Sequence, residues 1–211
     1  EYEDFDGTYF RVLINIDTDK FIDKYIKATT EKDSYFTHHE GNCLNNIWKE
    51  SAVIINKTLK KALEIENKRK RSKILKEIFA NQKEISNIQE EYLEKLIVEK
   101  ISDEDIIDLL FDIISERTEE CRIKCINQYL KNNNNLEDFK KISLESMFFS
   151  WSGSEVPIIE NRIKYYTKIN ESIKKLGIIY IKHNAYIEEI IDNLQQKKKN
   201  VLRKEFIVEW L

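Results

Sequence analysis

Four glycines and one proline in 211 residues, apolar side chains recurring at steps of three and four, and a 35% share of charged residues together predict an all-α protein. Helices charged outside and rich in Ile, Leu and Tyr inside make scaffolds more readily than reaction centres. The expected architecture is antiparallel helix pairs stacked as an irregular α-solenoid or a multi-helix bundle. The serial placement of pairs near 44–80, 85–130 and 158–211 favours the solenoid. The chain reads as one domain, 1–211, with a sub-division into 1–100 and 101–211 left open.

The opening stretch Thr8 to Ile14 is β-favouring in composition yet fits a short helix, and is read as helix. Asp17 then caps a helix with Phe21, Ile22, Tyr25 and Ile26 on one face. A polar loop follows from Asp33 to Asn42. The row Leu44, Ile47, Trp48, Ala52, Ile55, Leu59, Ala62 and Leu63 predicts the clearest helix, about 30 Å long at ~1.5 Å per residue. A basic elbow from Lys68 to Lys73 leads to a helix carrying Ile74, Leu75, Ile78 and Phe79, and a further face gathers Ile85, Ile88, Tyr92 and Leu96. Ser102 to Asp105 has the polar cap and early acids of a helix start, ahead of Ile107, Leu110, Phe111 and Ile114. A partner helix from Thr118 to Leu130 turns Ile123, Ile126 and Leu130 inward, and Asn132 to Asn135 breaks it. After Leu136, Phe139 and Ile142 comes a non-helical stretch, Met147 to Pro157. Two long helices then bear Ile159, Ile163, Tyr166, Ile169, Ile173 and Leu176, and Tyr186, Ile187, Ile190, Ile191 and Leu194, with Gly177 between them as the helix-ending residue.

Composition narrows the function. Apolar content of 41% with 11% aromatic supports a packed core. A net charge of −3, from 35 basic and 38 acidic residues, gives no global field for nucleic acid or acidic membrane. Cys43, Cys121 and Cys125 form an odd set whose last two share one helix, so a reducing cytoplasm is expected. The longest apolar runs, such as Ile178 to Ile181, fall far short of the ~20 residues that span a bilayer, so no membrane association is expected. With Glu1 first and Met147 the only methionine, the chain is expected to be an excised or processed piece of something larger.

One segment is not required by the scaffold: Ser150, Trp151, Ser152, Gly153, Ser154, Glu155, Val156 and Pro157. Physically it is a helix start, with Ser154 as cap, Glu155 near the positive dipole end and Pro157 in the first turn, while Trp151, Phe148 and Phe149 cover the preceding pair. Preceded by Leu136 to Leu144 and followed by Glu160 to Tyr166 and a helix bearing His183, it resembles the C-terminal portion of large bacterial helical-repeat multidomain proteins. In those, such regions accompany N-terminal nucleotide-binding (NTPase) or effector modules, some of them associated with phage defence. The resemblance covers about residues 100–211 and rests on that loop (Trp151, Ser152, Gly153, Ser154 and Pro157) plus spacing. It implies a cytoplasmic sensor or scaffold region and transfers no catalytic residue.

Site chemistry is sparse. No phosphate-gripping glycine motif occurs, and the amides of Ser152 to Glu155 are sufficiently explained as a helix cap. His38, His39 and Cys43 match no common zinc spacing, and Cys121 with Cys125 read as small buried hydrophobes. No arginine stands four to six residues before His38, His39 or His183, as a helical ribonuclease would need, and no Gly-x-Ser-x-Gly elbow surrounds Ser152 or Ser154. Carboxylate groups such as Glu90, Glu91 and Glu94, or Glu188, Glu189 and Asp192, lie beside lysines on charged faces. No enzyme activity, cofactor or metal is expected. Two basic runs remain as candidate nucleic-acid contacts: Lys68, Arg69, Lys70, Arg71 and Lys73 within 68–73, and Lys197, Lys198, Lys199 and Arg203 within 197–204, each diluted by acidic neighbours. The expected function is a non-catalytic scaffold with a protein partner, in the cytoplasm. The alternatives are a nucleic-acid-binding domain and, from the Asn, Lys and Ile enrichment, an exported or surface helical protein of an AT-rich parasite.

Overall fold

The structure is a computed structural model that describes residues 12, 15–30, 48, 52–80, 85–144 and 154–208. Those residues form nine α-helices and one 3-10 turn, with no strand among them. The chain groups into two compact units, residues 1–91 and 92–211, each described by itself. Among the described residues no helix is long and apolar enough to cross a membrane.

In the first unit, α1 (Thr18–Thr30), α2 (Ala52–Leu63) and α3 (Lys68–Ile78) pack against one another. Asp17 caps α1 as the sequence predicts, its carboxylate accepting from the Lys20 amide at 3.0 Å. Phe21, Ile22 and Tyr25 are buried beneath it and Ile26 is half-buried. Ile55, Leu59 and Ala62 supply the inner row of α2, and Trp48 donates its indole N–H to the Ile78 carbonyl at 2.6 Å. Lys57 and Lys61 of α2 pair with Asp19 and Asp23 of α1 at 3.4 and 2.7 Å.

Lys68 to Lys73 is not an elbow. It is the first turn and a half of α3, because Asn67 accepts from the Lys70 amide at 3.0 Å and starts the helix there, leaving a shorter connector behind α2. An N-cap of this kind contributes about 1 kcal/mol. Asn67→Ala is expected to lower the stability of the first unit by that amount, read as a fall in the urea midpoint with loss of helical amide protection at 68–71.

The helix α4 (Ser86–Glu99) also departs from expectation. Its inward row is Ile85, Gln89, Leu93, Leu96 and Ile97, while Ile88 is exposed. Gln89 takes the inner place with its amide N–H donating to the Ala80 carbonyl at 3.2 Å, which offsets part of the cost of burying it, while its side-chain oxygen has no partner among the described residues.

In the second unit α5 (Glu104–Ser115) packs on α6 (Glu119–Asn132), α6 on α8 (Val156–Leu176), and α8 along α9 (Ile181–Val208). The six-residue α7 (Leu136–Lys141) rests on α9. Asp103, Thr118 and Asn135 cap α5, α6 and α7 through side-chain oxygens. Ile106, Ile107, Leu110, Phe111, Ile113 and Ile114 are buried on α5. On α6 the buried row is Cys121, Cys125, Ile126, Tyr129 and Leu130, with Ile123 only half-buried. The α8–α9 pair is antiparallel: Glu155 meets Lys197 at 2.9 Å, Glu160 meets Lys198 at 2.6 Å, and Lys174 meets Glu188 at 2.8 Å. Expectations for 8–11, 13, 14, Leu44, Ile47, Phe148 and Phe149 lie outside the described residues.

Candidate functional site

The turn between α8 and α9 is the most unusual surface in the second unit. Gly177 ends α8 with φ 122°, a left-handed torsion that side chains disfavour, although a methyl there would meet nothing within 4 Å. The Tyr180 amide closes the turn on the Gly177 carbonyl at 3.2 Å. Tyr180 itself is buried and donates its hydroxyl to the Leu130 carbonyl at 3.1 Å, fastening the turn to the end of α6. With its aromatic residue inward, the turn presents Ile178, Ile179 and Ile181 to solvent at 83%, 66% and 62% exposure. Lys175 and Lys182 flank them, exposed and without an ion pair among the described residues. Between Glu171 and Glu188 the sequence holds no acid. Sequence reasoning saw this run only as too short to span a bilayer. The signal was there in a string of isoleucines placed directly after a helix-ending glycine.

Of the first basic run, Lys68, Arg69, Lys70 and Lys73 are exposed. Arg71 is half-buried, its guanidinium donating to the Ile65 carbonyl at 3.3 Å. No acid occupies the first turn of α3. The cations therefore oppose the positive end of the helix dipole, an arrangement that costs a few tenths to about 1 kcal/mol per charge unless an anion relieves it.

Half of the second run is committed within the fold. Lys197 and Lys198 are tied to Glu155 and Glu160, and the Lys198 contact holds the Glu160 carboxyl below its ordinary pKa. Lys199 and Arg203 stay exposed. The two runs belong to different compact units.

Of the loop that carries the family resemblance, Trp151, Ser152 and Gly153 lie outside the described residues, as do His38, His39 and Cys43. Ser154 accepts from the Val156 amide at 3.1 Å, and Pro157 lies in the first turn of α8. The cap position itself falls on Glu155, whose side chain makes no capping bond and instead reaches Lys197.

A cleft of about 440 Å³ opens in the second unit, lined by Glu104, Asp108, Tyr129, Asn133, Asp138 and Lys141 among others. Its polar groups largely satisfy one another. Lys141 pairs with Glu104 at 2.6 Å and Asp138 at 3.4 Å, and the Asn133 amide donates to the Tyr129 hydroxyl at 3.1 Å and to Asp138 at 3.2 Å. Burial, followed by the Asp138 charge, raises the Tyr129 pKa, so the phenol stays protonated near neutrality. Cys121 and Cys125 are buried and form no disulfide, with sulfurs 4.0 Å apart on one face of α6. Among the described residues no three His, Cys, Asp or Glu side chains are grouped to hold a metal ion. No family model, curated protein or solved structure matches this chain.

Proposed function

We propose that this chain is a non-catalytic helical scaffold that docks a protein partner through the tip of the α8–α9 hairpin, and serves as the sensor or regulatory region of a bacterial multidomain protein in the cytoplasm. The observation that carries the docking is the outward display of Ile178, Ile179 and Ile181 on a turn pinned by Gly177 and Tyr180. Isoleucine has few rotamers, so a fixed turn presents a pre-organised knob and little ordering entropy is lost on binding. Lys175 and Lys182 suit a partner whose apolar recess is rimmed by carboxylates. They number fewer than the four to eight cations of a lipid-binding cluster, and the turn's one aromatic points inward. The resemblance of residues 100–211 to bacterial helical-repeat proteins supports the regulatory role, and Cys121 and Cys125, neither of them in a disulfide, suit a reducing compartment.

The test is a photo-crosslinking residue at position 179 of the full chain in the organism that makes it, with the crosslinked site on the captured protein mapped by mass spectrometry. Expected is one dominant partner joined at an apolar, acid-rimmed site, with capture reduced at least about tenfold by Ile178→Ser with Lys182→Glu, as removal of about 1.5–3 kcal/mol of apolar burial requires. Crosslinks scattered over abundant proteins, or capture indifferent to those changes, would remove the docking reading. Nucleotide or RNA turnover abolished by a single side-chain substitution would remove the non-catalytic one.

A further inference from the structure

Independently of that docking, we propose that the exposed face of α3 is a nucleic-acid-binding surface that grips the phosphate backbone without reading sequence. Ile74, Leu75 and Ile78 turn inward on α3, and Arg71 is half-buried beside them. The opposite face carries Arg69, Lys73 and Lys76 at i, i+4 and i+7, with Lys68 and Lys70 at its start. Lys76, outside the basic run as the sequence is first read, joins the stripe only once that run is seen to be helical. Three such positions span about 10 Å at ~1.5 Å per residue, enough to meet successive phosphates along one strand.

Arg69, Lys70 and Lys73 make no ion pair among the described residues. They differ in this from Lys57 and Lys61 of the same unit and from Lys197 and Lys198, each of which is held by a carboxylate. The first turn holds no acid, so the amide dipoles and the side chains attract an anion together. The neighbouring acids are Glu64 and Glu66, exposed in the connector, and Glu77, half-buried on α3. No aromatic stands on the exposed face to stack a base, since Phe79 is buried, so the contact is to backbone phosphates.

The probes are fluorescein-labelled duplex DNA and single-stranded RNA of about 20 units, titrated with the full chain by anisotropy at several salt concentrations. For three to four neutralised phosphates, duplex affinity is expected to fall roughly 40- to 150-fold between about 50 and about 200 mM salt, with little dependence on sequence. Arg69→Ala with Lys73→Ala, both exposed and checked for unchanged helicity, is expected to reduce the salt slope by about two. Lys199→Ala with Arg203→Ala is expected to leave it unchanged. Absence of binding at low salt, equal binding by the α3 variant, displacement by low-millimolar inorganic phosphate, or tighter binding to phosphatidylserine vesicles than to either nucleic acid would each overturn the proposal.

Discussion

Phe139→Ala is expected to destabilise the second unit by about 3–5 kcal/mol, the range for emptying a fully buried aromatic site. Phe139 is wholly buried and packs edge-on against His183 at 5.2 Å and Tyr186 at 6.2 Å between ring centres. It is the one buried residue of α7, a helix of six residues that is far too short to hold its form alone. Without that ring, α7 keeps its Asn135 cap and surface ion pairs, and exposed pairs contribute little. Loss of α7 would also release Lys141 from Glu104 and open the cleft. Thermal unfolding read at the second unit, with hydrogen exchange over 136–144, checks this: a large fall in midpoint should accompany early exchange of exactly that segment's amides. A loss under about 1 kcal/mol would mean that α7 is held by something other than Phe139.

The starts of α1 and α5 were readable because they are local. Asp17 and Asp103 each cap a helix through an oxygen three residues from its target, a distance that sequence spacing fixes. Asn135, by contrast, was read only as part of the tract that ends α6, and its capping of α7 was missed. The inner row of α5 was legible for a similar reason, since Ile107, Leu110, Phe111 and Ile114 repeat at helical steps and all are buried. Where partners lie far apart along the chain, the same reading misplaces residues. Lys197 and Lys198 look like free charge in sequence because Glu155 and Glu160 meet them only when α8 and α9 fold together. Gln89 looks like surface and Ile88 like core because periodicity counts apolar atoms and cannot see the Ala80 carbonyl that makes a buried amide tolerable.

The candidate sites divide along the same line. The basic residues of α3 were visible as a run, but their helical stripe depended on Asn67 starting the helix earlier than the charges suggested. At the hairpin, Gly177 was read correctly as the end of a helix, yet apolarity alone assigns isoleucine to the interior. Only the Tyr180 hydroxyl reaching Leu130 fixes which side of the turn is buried and sends Ile178, Ile179 and Ile181 outward.

Acidification is expected to weaken the second unit through His183. This imidazole is 2% exposed, set edge-on to Phe139 and Tyr180, and no well-formed hydrogen bond holds either ring nitrogen among the described residues, the Asn135 backbone being only a weak contact. Burial lowers its pKa below 6.5, and the weaker opposing pull of the Asn135 backbone does not reverse the shift. The unfolded chain therefore takes up a proton before the folded one does. The stability that His183 permits is complete above about pH 6.5 and is lost as pH falls from there towards the lowered folded value, at up to about 1.4 kcal/mol per pH unit. Urea midpoints of the wild type and of His183→Phe, followed from pH 7.5 to about 5, separate this titration from the general protonation of carboxylates, which both proteins share. The wild type should lose stability relative to the variant across that window. Parallel curves would mean that the ring is already solvated or already charged, and that the Phe139 contact is not what keeps it neutral.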